Sequence, residues 1–107
     1  MVEVVWTEPA LADLEAIADY IAVENPAAAG EFVKRVFAHI DKLEQHPGLG
    51  PAPPELEDSR YRQVVEPPCR VFYRQQGKTV FILHVMRSER LLIMGNLERG
   101  GTGLTKV

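Results

Sequence analysis

The apolar pattern of this chain changes from helical to strand period at one break. The change falls at Pro47-Gly48-Leu49-Gly50-Pro51-Ala52-Pro53-Pro54, a run that no helix crosses. Before it, apolar residues recur at helical spacing: Leu11, Leu14, Ile17, Ala18 and Ile21 in one stripe, then Phe32, Val33, Val36, Phe37, Ile40 and Leu43 in a broader one. Thr7-Glu8-Pro9 reads as a helix start with Thr7 as N-cap, and Asn25-Pro26 ends that helix and caps the next. Helices joined by so short a link pack as a hairpin. After the break the period becomes that of strands. Tyr61 to Val65, Arg70 to Arg74 and Thr79 to Met86 read as three of them, divided by Pro67-Pro68 and by a turn at Gln75-Gln76-Gly77-Lys78. The β-branched run Val2 to Trp6 adds a first strand.

This order predicts an α+β fold in which a helical hairpin packs on one face of a small, mainly antiparallel sheet, in the sequence β-α-α-β-β-β. Leu14, Ile17, Ile21, Val33, Val36, Phe37 and Ile40 are the expected core, together with alternate residues of the last two strands. A chain of 107 residues holds one domain, assigned to 1–99, and its glycine-rich end at 100–107 reads as a flexible tail. The last strand is unusual. Val80, Phe81, Ile82, Leu83, Val85 and Met86 are apolar on both parities, and only His84 interrupts them. A strand with one wet face alternates, so this one implies cover on both faces. The helices supply one cover. The other comes either from Leu91-Leu92-Ile93-Met94 folding back or from a second polypeptide.

Charge is also split along the chain, between Asp58 and Ser59. Up to Asp58 twelve acids oppose Lys34, Arg35 and Lys42, a net −9; from Ser59 onward Glu66, Glu89 and Glu98 oppose nine bases, a net +6. Seven of those nine are arginines, the residue suited to planar recognition of carboxylate or phosphate. Function therefore belongs to the basic half, and Tyr61-Arg62, Arg70, Tyr73-Arg74, Arg87 and Arg90 are its strongest signal. Cross-strand pairing with Glu66 and Glu89 is the plain structural alternative.

Other chemistry is thinly represented. An apolar content of 46% with 25% charged residues excludes a disordered chain, and one cysteine excludes a disulfide scaffold. The apolar runs are too short to span a membrane, and the N-terminus lacks the pattern of a signal peptide. Cys69, as a lone cysteine, points to a reducing, cytoplasmic setting. No phosphate loop, zinc spacing or nucleophile motif occurs, so no metal, no cofactor and no catalytic residue is assigned. His39, His46 and His84 read as surface or partly buried histidines. The acid pairs Asp13 with Asp19 and Glu55 with Glu57 read as solvated helix and loop residues.

The succession Val5-Trp6-Thr7, then Ala10-Leu11-Ala12-Asp13-Leu14-Glu15-Ala16-Ile17-Ala18-Asp19-Tyr20-Ile21, resembles the opening of the ParE/RelE toxin superfamily. Asn25-Pro26 with Ala28-Ala29, Leu43-Glu44-Gln45-His46-Pro47, Gly50 and Glu55-Leu56 continue the likeness. Tyr61-Arg62-Gln63-Val64-Val65, Arg70-Val71-Phe72-Tyr73-Arg74 and Val80-Phe81-Ile82-Leu83-His84-Val85 complete it over residues 4 to 92. The resemblance implies a toxin of a type II toxin–antitoxin pair, neutralised by a cognate ParD-like antitoxin that wraps it. Arg74, Phe81, Leu83, Val85, Leu91 and Leu92 are the residues expected to meet that antitoxin.

Within the superfamily, RelE-like members cut messenger RNA in the ribosome and ParE-like members poison DNA gyrase. Where the nucleases often carry a histidine or tyrosine after the last strand, this chain has Arg87-Ser88-Glu89-Arg90, and arginine is a poor proton shuttle. A pI near 5.6 also suits entry among ribosomal phosphates poorly. Both observations favour the gyrase-directed branch, with inhibition by binding, and Arg62, Arg70, Arg87 and Arg90 as expected target contacts. No membrane and no sequence-specific nucleic-acid binding are expected of this chain. The alternatives are a RelE-like nuclease, with Glu55 as base and Tyr61 or His84 as acid, and an inactive toxin that only binds antitoxin.

Overall fold

Thr7 starts the first helix in the way its sequence suggests. Its side chain accepts a hydrogen bond from the Ala10 N–H, Pro9 occupies the first turn, and α1 runs Glu8–Glu24. Asn25 ends α1 and accepts from the Ala28 N–H, so that α2 runs Pro26–Asp41, extended by a 3-10 turn over Lys42–Glu44. The strands are β1 (Glu3–Trp6), β2 (Tyr61–Glu66), β3 (Cys69–Gln76) and β4 (Thr79–Arg87). This computed structural model describes residues 1–57, 59–90, 92 and 97. The expected tail over 100–107, with Leu91, Ile93, Met94 and Glu98, lies outside the described residues.

The sheet order is β1-β4-β3-β2. β2, β3 and β4 are antiparallel because tight turns join them, whereas β1 reaches the sheet through the helical hairpin and lies parallel to β4. Both helices pack on one face. Ala10, Leu14, Phe32, Val36, Ile40 and Leu43 meet Val64, Val71, Tyr73, Val80, Ile82 and Val85 there. The centre of this core is shifted from the expected one: Ile17, Ile21, Val33 and Phe37 are half-buried at its flanks, where Phe37 meets Trp6 with ring centroids 5.0 Å apart. Small Ala10, fully buried, lets α1 approach the sheet closely. The β3–β4 turn is narrower than expected, since Gln75 and Gln76 stay in the ladder and Gly77 alone takes the left-handed conformation, with φ +60°.

A bulge in β4 changes which residues share a face. Phe72 pairs with His84 and Tyr73 with Ile82, which leaves Leu83 as the extra residue. Ile82 and Val85 therefore both face the helices, while Phe81, Leu83 and Met86 face away. The second face is itself covered from within the chain. Tyr61, Phe72, Leu83 and Met86 pack with Leu97, and Leu56, Phe81 and Leu92 lie against them. Leu92 brings one residue of the expected fold-back segment into this cover, and Leu91, Ile93 and Met94 lie outside the described residues.

The proline-rich loop seals the outer edge of β2. The Gln63 N–H donates to the Pro51 carbonyl at 2.9 Å, and the Tyr73 hydroxyl accepts from the Gly50 N–H and donates to the Pro47 carbonyl, each at 2.9 Å. Gly50 lies so close to β2 that a Cβ there would run into the backbone carbonyl of Gln63. Tyr73→Phe leaves the buried Gly50 N–H unpaired and should destabilise the chain by about 1–3 kcal/mol in urea unfolding. Gly50→Ala should cost at least as much, because backbone rather than a flexible side chain blocks the new methyl.

Candidate functional site

Arg70 sits on the second face of the sheet, nearly buried, over the Phe72 ring at 4.8 Å. Its five N–H groups all find acceptors. Nε and NH2 donate to Gln63 Oε1 at 3.0 and 2.8 Å, NH1 and NH2 to the two carboxylate oxygens of Glu55 at 3.0 and 2.6 Å, and NH1 also to the Arg90 carbonyl at 2.9 Å. Glu55 in turn accepts from the Leu92 N–H at 3.0 Å. One guanidinium thus ties β2, the 3-10 turn Pro54–Leu56 and the segment after β4 to β3. The hydrogen bonds from Arg70 hold the Glu55 carboxyl at a pKa of about 2, against partial burial that pushes the other way.

This geometry separates the expected target-contact arginines. Arg70 has no donor to offer a partner. Arg62 is exposed, lies on the opposite side of β2 from Gln63 by strand alternation, and donates to the Gly50 carbonyl at 2.8 Å. The two do not converge on one phosphate. Arg87 pairs with Glu89 at 2.9 Å and lies 5.1 Å over the ring of Tyr20, an exposed residue of α1; Arg90, just after β4, is exposed. Glu66 pairs with α2 instead of a strand arginine, through His39 at 3.1 Å and Arg35 at 3.5 Å. The apolar residues expected to meet a partner divide as well. Val85 is packed under the helices, Leu83 is fully buried on the second face, Phe81 and Leu92 are half-buried there, and Leu91 lies outside the described residues.

Asp13 is not the solvated helix acid that its place off the apolar stripe suggests. Past Ile82, β1 no longer covers β4. The Thr7 N–H and hydroxyl donate to the Ile82 carbonyl at 3.1 and 2.8 Å, and the Asp13 carboxylate accepts from the Val85 N–H at 3.2 Å and bonds His84 Nδ1 at 2.6 Å. His84, stacked on Phe72 with centroids 5.8 Å apart, is the partner of this acid. The one sequence hint was the single polar break in an apolar strand.

Residues 4–92 match the family described as ParE toxin of type II toxin–antitoxin system, parDE. The chain belongs to the ParE toxin family. It is 37% identical over 92 residues, 85% of this chain and all of the relative, to Toxin RelE2 of Caulobacter vibrioides. It also superposes with a TM-score of 0.71 and 31% identity on a chain of a chromosomal ParDE toxin–antitoxin system from P. aeruginosa, covering 83% of this chain and 98% of that one.

In this ParE-family chain, Cys69 is fully buried, and burial pushes its thiol up to about 12, which keeps it protonated and unreactive. Among the described residues no group of His, Cys, Asp and Glu could hold a metal ion, and no helix is long and apolar enough to cross a membrane. The Glu55–Arg70 pair makes stability depend on acid. Because the folded carboxyl titrates near 2 and the ordinary value is 4.5, its contribution is complete above about pH 4.5 and fades as pH falls towards 2. Each tenfold gain in acidity is worth about 1.4 kcal/mol, and solvent reaching the carboxylate screens part of it, which leaves a contribution on the order of 2 kcal/mol. Glu55→Gln should therefore unfold more easily than the native chain at pH 7, and the gap between them should narrow through this acid range in chemical-denaturation curves.

Proposed function

We propose that this ParE-family toxin acts by binding its target instead of cutting RNA, that the target is DNA gyrase, and that a cognate antitoxin neutralises it in the cytoplasm. The observation that carries the reading is the state of Glu55 and Arg70. RNA cleavage needs a general base for the 2′-hydroxyl and a cation free to hold the phosphate. A carboxyl held near pKa 2 is a weak base, and an arginine with every N–H engaged is no phosphate clamp. His84 bonds Asp13 in a partly buried place and Tyr61 is buried, which leaves the proton donors of a nuclease reading poorly placed.

The composition around Arg87, beside the Arg70 end of the ladder, favours a protein interface. Arg87 lies over the exposed Tyr20, Val23 on the same helix is 84% exposed, and Arg90 follows in an exposed turn. Arginine and tyrosine are among the residues that most often dominate protein–protein binding. The likeness to a chain of a ParDE system supports an antitoxin as partner.

Purified chain added to a gyrase supercoiling assay should inhibit it, while a translation assay run beside it shows no mapped cuts in messenger RNA. Arg87→Ala and Arg90→Ala should weaken that inhibition without changing the thermal midpoint. The name of the Caulobacter relative makes RelE-like cleavage the competing outcome. Codon-dependent cuts with unaffected supercoiling would reject the gyrase assignment.

A further inference from the structure

Arg74 is the mirror case of Arg70, which lies four residues away on the same face of the same strand. It is only 6% exposed, yet its one hydrogen bond among the described residues goes from NH1 to the neutral side chain of Gln76, at 2.6 Å. Its Nε is buried without a partner, and among the described residues no carboxylate pairs with it. A buried charge with no counter-ion among the described residues is costly to hold, and a carboxylate brought by a partner would offset that cost. The surroundings are suited to holding a flat anion. The guanidinium lies 5.2 Å over the Phe81 ring, and on the neighbouring strand its ladder partner Tyr61 carries Arg60 at 5.4 Å.

We infer that Arg74 is a carboxylate-recognition subsite, filled by an aspartate or glutamate of an acidic protein segment laid along this end of the second face. The inference rests on the antitoxin reading above and adds to it the chemistry of one contact. A planar fork with an unused Nε matches the two oxygens of a carboxylate. Half-buried Phe81 presents apolar surface beside it, where a partner's aliphatic side chain excludes water and strengthens the ion pair. The net +6 of the second half of the chain complements such a segment.

The test uses the full chain and the protein encoded by the adjoining reading frame. Titration calorimetry on the native chain first establishes a complex; its absence overturns both the antitoxin reading and this inference. Given a complex, Arg74→Met, which keeps the packing and removes the charge, should weaken it by about 30-fold or more. The same variant alone should melt at or above the native midpoint, because it relieves an unpaired charge. Equal affinity in a folded Arg74→Met variant overturns the subsite while leaving the antitoxin reading intact. A lower midpoint in the free variant also overturns it and makes Arg74 a structural residue. An exchange of each partner Asp and Glu for its amide supplies the second measurement, on the native chain. One such exchange should reproduce the loss, and none doing so counts against the proposal. If Arg74→Met instead weakens binding of single-stranded RNA and spares the protein complex, the anion is phosphate and the inference fails.

Discussion

Arg70 lies on the covered face of the sheet, and burying a guanidinium is tolerable only when its N–H groups all meet acceptors. Here each does, and the acceptors come from three separate places: Gln63 on β2, Glu55 in the loop before it, and the backbone of Arg90 after β4. The network therefore holds the Glu55 turn and the segment at Arg90 against the β2–β3 ladder. Leu56 and Leu92 flank it, so the apolar cover of the second face depends on the same polar anchor. Removing Glu55 leaves the buried Arg70 charge without its counterpart, which is why this pair matters more than the exposed ones. Lys34 with Glu31, solvated on both sides, is of the kind worth little.

The edges of the sheet are managed by the same economy of polar groups. β1 is only four residues long, and where it stops the start of α1 takes over: Thr7 donates to the Ile82 carbonyl, and Asp13 accepts from the Val85 N–H. On the far side Pro51 pairs with β2, and Tyr73 clamps Pro47 and Gly50 against it. Edges covered in this way do not recruit stray strands.

Two arginines four residues apart on one strand, on one face, have opposite electrostatic situations. Arg70 is saturated and positions the fold; Arg74 is buried, and among the described residues its side chain hydrogen-bonds only the neutral Gln76. Composition alone treats them as equals. A saturated group has nothing further to gain from a ligand, whereas a buried charge with only a neutral partner gains from a new ion pair.

Local rules made much of the architecture legible. Helix period, the caps at Thr7 and Asn25, the proline-rich break and the strand runs all act over a few residues, and both helices and all four strands stand where they indicate. Continuous apolarity in Val80 to Met86 likewise announced a strand covered on both faces. What the sequence by itself did not determine was which residues share a face and which charges meet. The bulge at Leu83 turns Val85 towards the helices, and Glu55, fifteen residues from Arg70, becomes its partner instead of Glu66, which faces α2. Register and loop placement are consequences of packing the whole chain at once. An ion pair across such a separation is therefore decided by the tertiary structure, while a helix cap three residues long is decided where it is written.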